Sequence, residues 1–293
     1  MTTETSKISD EELRTILTHI NNARSEENSV NKFKYFSDAL NKLWNSYFRN
    51  ESSDIKKFEN LLNLLKEDNI NLLFSSNELK LVVNLKPLIM DHNVLRKHNY
   101  NPDNINASLR KKAQEVHKKL VARFADSMNA ENSSKLNKKI AELLYIVRSN
   151  IMHGEKTPHG PDINKIERDN NVCLASYPLQ ELILDLLLGS PSHNLAVYGT
   201  LRQGERNHNF IEGIKGVWND GYVKGEIEIR HNLPYFKWIV PGTDIKVNIL
   251  NSIEIPIKYG DIDRFEGSDY KRILIPVISG KNRFVCNIYS IVD

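Results

Sequence analysis

The stretch Val197-Tyr198-Gly199-Thr200-Leu201-Arg202-Gln203-Gly204 indicates how the last third of this chain is expected to fold. A strand candidate, Leu195–Tyr198, runs directly into a turn that contains glycine. Backbone N–H groups in such a turn have no partners in a sheet, and consecutive N–H groups of this kind can bind an anion. The stretch therefore predicts a strand followed by a loop that can hold a ligand.

A second motif lies downstream in Ile262-Asp263-Arg264-Phe265-Glu266-Gly267, which leads into Tyr270-Lys271-Arg272-Ile273. This pattern predicts a short turn that places the carboxylate of Glu266 at the start of a strand. Together the two motifs resemble those of the gamma-glutamylcyclotransferase-like family, which has a Tyr-Gly-Ser/Thr-Leu loop after its first strand and a Glu-Gly-x-x-Tyr-x-Arg segment. The resemblance covers residues 194–293.

This resemblance implies a small α+β, β-barrel-like domain with a site for a gamma-glutamyl group. Glu266 would be the general base that takes a proton from the substrate ammonium, after which the amine would close a 5-oxoproline ring. That role requires partial desolvation of Glu266, which raises its pKa. A solvated carboxylate in an ordinary tight turn is the alternative. The residues implied in ligand binding are Tyr198, Gly199, Thr200, Leu201, Arg202 and Tyr270.

The chain before residue 190 has a different periodicity. Apolar residues recur at helical spacing from Ser9, which forms a capping box with Glu12, to about Gly189. Only Leu79–Leu85 alternates in a way that would suit a strand. We therefore predict two domains, an all-α helical bundle at 1–190 and a β-rich domain at 191–293. The strand candidates of the second domain are Leu195–Tyr198, Tyr222–Ile229, Asp244–Leu250, Lys271–Ile278 and Phe284–Ile291.

A candidate catalytic pair lies at the end of the helix predicted over residues 134–152. Arg148 and His153 are about 140° apart on an ideal helix, but Gly154 would end the helix and let His153 turn back. Such a pair can cleave RNA without a metal, because His moves the 2'-hydroxyl proton while the guanidinium neutralises phosphate charge. The alternative is structural, with Arg148 in an ion pair and His153 against the last helix carbonyls.

The Arg-x-x-x-x-His-Gly segment precedes a polar loop and a leucine-rich helix, and this order resembles the HEPN family of all-α ribonuclease and nucleotide-binding domains. The similarity is clearest over residues 133–189. It implies Arg148 and His153 as catalytic residues, Asn150 as a supporting polar group, and a homodimer in which two such pairs face each other. Ser149 departs from the family, since many active members carry Asn, Asp or His at that position.

A basic helix face favours RNA as a partner. The helix predicted over 108–128 carries Glu115 among many basic residues opposite its apolar stripe, which suits phosphate binding. A solvated helix face is the other interpretation. The basic residues are Arg110, Lys111, Lys112, Lys118, Lys119 and Arg123.

Composition excludes several function classes. The 293 residues include 40 basic and 37 acidic side chains, and the net charge of +3 excludes a polycation. No signal peptide is evident, and no stretch approaches the about 18 apolar residues of a membrane span, so a cytoplasmic protein is expected. No histidine or cysteine spacing suits zinc, and we predict no metal and no cofactor. Cys173 and Cys286 are expected to be buried thiols.

Three functional hypotheses follow. In the first, the chain combines a HEPN-type, metal-independent endoribonuclease of a toxin or phage-defence system with a domain that senses or modifies a small gamma-glutamyl-type ligand. In the second, gamma-glutamylcyclotransferase chemistry at Glu266 is the activity, and the helical domain is a scaffold for dimerisation or RNA binding. In the third, both halves bind without catalysis.

Overall fold

The computed structural model describes residues 8–85, 133–153, 163–230 and 233–292. The described residues divide into two compact units. The first unit contains the residues up to Leu17 together with those from Leu188 onward, and the second contains Thr18 to Leu187. The expected division into domains of residues 1–190 and 191–293 stays a prediction.

The described part of the N-terminal region consists of helices. They are α1 (Asp10–Ser25), α2 (Ser29–Tyr47), α3 (Asp54–Leu62), α4 (Glu67–Ser75), α5 (Asn77–Val83), α6 (Ser133–His153) and α7 (Ile163–Leu187). The predicted capping box is confirmed, because the Ser9 N–H donates to Glu12 Oε2 at 3.0 Å and the Glu12 N–H donates to Ser9 Oγ at 3.2 Å. The prediction that Leu79–Leu85 would suit a strand is wrong. That segment belongs mainly to α5, whose N-cap Ser76 accepts a hydrogen bond from the Leu79 N–H at 3.1 Å.

Helix α2 packs against α3, α6 and α7 in the second unit. Its Phe33 is fully buried in a cluster with Val147 and Ile151 of α6 and Cys173 of α7. A buried polar contact crosses the same interface, since the Gln180 side chain donates to Ser37 Oγ at 2.8 Å. The helical spacing of apolar residues therefore corresponds to a packed core. Cys173 is buried here and Cys286 is buried in the first unit, as expected.

The predicted basic helix at 108–128 lies outside the described residues. The structure therefore does not describe where the basic residues of this helix lie, namely Arg110, Lys111, Lys112, Lys118, Lys119 and Arg123. The same holds for Gly154 and the polar loop that follows it.

The C-terminal region forms a barrel-like sheet. Its strands are β1 (Asn194–Val197), β2 (Val217–Arg230), β3 (Leu233–Lys237), β4 (Thr243–Asn251), β5 (Tyr270–Ser279) and β6 (Asn282–Ile291). They lie in the order β3-β2-β4-β1-β6-β5, and β2 also pairs with β5, with Tyr222 opposite Ile278. This extra pairing closes the sheet on itself. All five strand candidates correspond to strands in the structure, whereas β3 was not predicted.

Four short helical elements accompany the sheet. They are 3₁₀ turns at Pro191–His193 and Gly199–Leu201, α8 (Asn209–Glu212) and α9 (Ile255–Glu266). The apolar side of α9 packs on the barrel through Ile255, Tyr259 and Ile262. The turn predicted at 262–267 is therefore wrong, because Glu266 is the last residue of a helix. The helix ends at Gly267, whose φ of 78° lies in the left-handed region that favours glycine.

The start of the chain contacts the last strand within the first unit. Arg283 of β6 donates a hydrogen bond to the carbonyl of Ile8 at 2.7 Å and forms an ion pair with Asp10. These contacts explain why the described residues before Thr18 group with the C-terminal sheet.

The described chain thus has a helical N-terminal region followed by a barrel-like sheet, which confirms the coarse fold class. The HEPN-like assignment of the helical region is not confirmed. Among the described residues, no helix combines the length and the apolar character needed to cross a bilayer.

Candidate active site

The loop after β1 is held in one conformation by contacts on two sides. Gly199 has a φ of 61°, and a Cβ at this position would lie 2.4 Å from Cγ of Pro234 in β3. On the other side, the Asn207 backbone N–H donates to the Thr200 carbonyl at 3.0 Å, and the Asn207 side-chain amide donates to Thr200 Oγ1 at 3.0 Å. The loop is therefore fixed against β3 and against the segment that precedes α8.

The same loop presents backbone donors. The N–H groups of Gly199 and Thr200 begin a 3₁₀ turn, and no described residue accepts a hydrogen bond from either of them. The first N–H groups of any helical turn lack an acceptor within the turn. These two donors are consistent with the predicted anion-binding loop.

A cavity of about 170 Å³ lies between this loop, β3 and the end of α9. Among the residues predicted for the site, Tyr198, Thr200, Leu201, Glu266 and Tyr270 line the cavity, whereas Gly199 and Arg202 do not. Sequence reasoning missed Leu233 and Pro234 because β3 was not predicted, and it missed Tyr289 because no short motif links β6 to this cavity. Asn207 and Phe265, which lie close to or within the two motifs, also line the cavity.

Glu266 is the carboxylate in the wall of this cavity. Burial raises the pKa of Glu266 to about 7, because the ionised form loses hydration that no charged partner replaces. A carboxylic acid with this pKa exchanges a proton readily near neutral pH. Over the described ranges, no three His, Cys, Asp or Glu side chains are grouped in a way that could hold a metal ion.

Two tyrosine hydroxyls in the cavity wall are fixed by β3. The Tyr270 hydroxyl donates to the Pro234 carbonyl at 3.1 Å, and the Tyr198 hydroxyl accepts from the Phe236 N–H at 3.2 Å. Burial raises the pKa of both phenols, so both stay protonated at neutral pH. Since Tyr198 uses its oxygen as an acceptor, its own proton remains available for a ligand.

Asp263 connects α9 to the two last strands. It accepts two hydrogen bonds from the Arg272 guanidinium, at 3.0 and 3.3 Å, and one from the Tyr289 hydroxyl at 2.6 Å. The guanidinium also lies over the Tyr259 ring, with its Cζ 3.8 Å from the ring centroid. These contacts hold the last turn of α9, and with it Glu266, in place against the barrel.

The N-terminal pair is only partly described. Helix α6 continues through His153, but the side chain of His153 lies outside the described residues, so its approach to Arg148 stays a prediction. The half-buried Arg148 guanidinium lies 5.9 Å from the centroid of the Trp44 ring, and no described residue accepts a hydrogen bond from its buried Nε. Asn150 is buried, with 4% of its surface exposed.

The solved structures that this chain resembles align with its C-terminal third. No family model matches the chain, and no curated protein matches it. A solved structure of an AIG2-like protein from Mus musculus is 22% identical over 33% of this chain and 76% of that chain, with a TM-score of 0.29. An uncharacterized protein from Pyrococcus horikoshii is 21% identical over 33% of this chain and 76% of that chain, with a TM-score of 0.26. Both alignments cover the C-terminal third.

The first prediction concerns the close approach of Gly199 to Pro234. Gly199→Ala should lower the free energy of unfolding by about 2 to 4 kcal/mol, because it adds both left-handed strain and a steric clash. Gly204→Ala is the matched control. Gly204 also has a positive φ, of 82°, but a Cβ there meets nothing within 4 Å, so it should cost only about 1 kcal/mol. Equal losses in denaturant unfolding would contradict the clash.

The second prediction concerns the pH dependence caused by Glu266. The folded-state pKa is raised from 4.5 to about 7, so the folded protein binds more protons than the unfolded chain in that interval. Wild-type stability should therefore fall relative to that of Glu266→Gln as the pH rises from about 4.5 to about 7. Carboxyl ¹³C NMR should give a Glu266 midpoint near 7. A midpoint near 4.5 would show that the carboxylate is solvated.

Proposed function

We propose that the C-terminal unit catalyses gamma-glutamyl cyclotransfer, converting a gamma-glutamyl amide into 5-oxoproline and a free amine. The observation that carries this proposal is the meeting of three features in one cavity: the desolvated Glu266 carboxyl, the protonated Tyr198 hydroxyl and the Thr200 loop. The motif resemblance points to the same reaction.

Glu266 acts as the general base. In its ionised form it takes one proton from the substrate ammonium, which leaves a neutral amine able to attack. The pKa of about 7 makes Glu266 a stronger base than an ordinary carboxylate, while a substantial fraction remains ionised at neutral pH. Positioning supplies much of the remaining rate enhancement, because the amine and the gamma-carbonyl belong to one molecule.

The reaction forms one C–N bond and breaks another. The amine attacks the gamma-carbonyl carbon to give a tetrahedral intermediate, and the attacking nitrogen then loses a second proton. The bond to the leaving nitrogen breaks as the carbonyl reforms, and that nitrogen receives the two protons released by the ammonium. Glu266 carries these protons and returns to its starting state.

The loop and Tyr198 supply hydrogen-bond donors. The backbone N–H of Thr200, which lines the cavity, would bind the alpha-carboxylate of the gamma-glutamyl group, as anions bind at a turn with free N–H groups. The Tyr198 hydroxyl would donate to the oxygen that becomes negative in the tetrahedral intermediate. One such donor is worth about 10²- to 10³-fold in kcat in other acyl-transfer sites.

The third prediction tests this activity. Purified protein should release 5-oxoproline from gamma-glutamyl dipeptides or amines, with a rate that rises as the pH passes through about 7 because Glu266 must be ionised. Glu266→Gln should reduce the rate about 100-fold or more while the chain stays folded. Glu205→Gln, in an exposed residue outside the cavity lining, is the matched control. Absence of 5-oxoproline across a broad gamma-glutamyl panel would refute the proposal.

RNA cleavage by the helical region is the second candidate function. The observation that favours it is the half-buried Arg148, which forms no ion pair with any described residue and so offers a cation for a phosphate. Cleavage would use His153 as the proton-transfer group, with Asn150 as a polar support, and would leave a 2',3'-cyclic phosphate. The RNA partner, the homodimer and the cytoplasmic location stay predictions.

The fourth prediction separates this second function from a structural role of Arg148. Arg148→Ala and His153→Ala should each abolish cleavage of RNA by the purified chain. Arg168→Ala, in an arginine that already pairs with Asp169 at 2.9 Å, should not. If all three variants and the wild type behave alike on RNA, the helical region is a scaffold.

A further inference from the structure

A larger groove adjoins the cavity that holds Glu266. Its volume is about 540 Å³, and its walls come from α8 and α9. Phe265 lines both the groove and the cavity, and Glu266 follows it directly in the chain. The groove and the candidate active site therefore adjoin at Phe265. Its lining includes Phe210, Lys258, Asp261, Ile262, Arg264 and Phe265.

The groove presents an exposed aromatic pair. The rings of Phe210 and Phe265 stack with their centroids 4.3 Å apart and an angle of 23° between their planes. Each residue keeps 41% of its surface exposed. Two exposed and stacked phenylalanine rings offer an apolar surface on which a third ring or another large apolar group can be buried.

The charges on α9 leave one cation available beside this aromatic pair. Asp261 is paired with Arg264 at 3.2 Å, whereas Lys258 forms no ion pair with any described residue. Lys258, Ile262 and Phe265 follow each other at spacings of four and three residues, which places them on one face of the helix. A carboxylate bound in the groove would therefore find its counter-charge at Lys258.

We propose that this groove binds the leaving amine of the substrate, and that this amine is an amino acid with an aromatic side chain and a free carboxylate. The proposal rests on the cyclotransfer function proposed above and names its substrate class, gamma-glutamyl dipeptides with an aromatic second residue. The aromatic side chain packs on Phe210 and Phe265, and the carboxylate pairs with Lys258. The scissile amide then lies where the groove meets the cavity of Glu266.

The test compares three compounds: gamma-glutamyl-phenylalanine, gamma-glutamyl-alanine and gamma-glutamyl-phenethylamine, which lacks the carboxylate. For wild type, kcat/KM for 5-oxoproline release should be higher for the phenylalanine compound than for either of the others by about tenfold or more. Phe210→Ala should bring the phenylalanine-to-alanine ratio close to one. Lys258→Met should do the same for the phenylalanine-to-phenethylamine ratio.

Ile257→Ala provides the matched control, because Ile257 is a 79% exposed apolar residue of α9 that lines neither the groove nor the cavity. This variant should leave both ratios unchanged. Wild-type ratios within about twofold of one, or ratios that Phe210→Ala and Lys258→Met do not change, would overturn the groove proposal even if 5-oxoproline is released.

Failure of the cyclotransfer proposal gives a different result, namely no 5-oxoproline from any compound. Calorimetric binding of the same three compounds then decides the groove proposal. Tighter binding of gamma-glutamyl-phenylalanine that is lost in Phe210→Ala and kept in Ile257→Ala supports it. Equal affinities for the three compounds overturn it.

Discussion

The candidate site depends on the close approach of the loop after β1 to strand β3. Any side chain at position 199 would clash with Pro234, whose Cγ would lie 2.4 Å from the added Cβ. This approach lets the Phe236 N–H reach the Tyr198 hydroxyl and lets the Tyr270 hydroxyl reach the Pro234 carbonyl. One steric constraint therefore determines the orientation of both tyrosines and encloses the space in front of Glu266.

The raised pKa of Glu266 depends on the fact that neighbouring charged side chains already pair with each other. Arg272, a basic residue of the same motif, makes a two-point contact with Asp263, and no basic residue lowers the pKa of Glu266. Glu266 also stands at the C-terminal end of α9, where the helix dipole disfavours a negative charge. Because Glu266 is desolvated and no cation compensates its charge, its carboxylate is more basic than usual. The same desolvation lowers the stability of the folded chain. That combination is typical of active sites.

Local patterns predicted much of this structure. Residues close together in the sequence were enough to predict the capping box at Ser9, five of the six strands and the two motifs that meet at the cavity. Strand β3 was missed because it is five residues long and contains a proline, and α9 was missed because it starts with Ile255-Pro256-Ile257, which reads as extended. The pairing of Asp263 with Arg272 and Tyr289 depends on the register of distant strands, which a single sequence does not encode in any short pattern.

The contacts of Arg283 with Ile8 and Asp10 join residues 275 and 273 positions apart. Contacts with so large a sequence separation raise the contact order of the unit that contains them and delay its completion during folding. During synthesis, the first turn of α1 leaves the ribosome long before its partner on β6 is translated. The barrel can be completed only after β6 has been translated, and a fragment that starts at residue 188 would expose the surface that Ile8 and Asp10 cover.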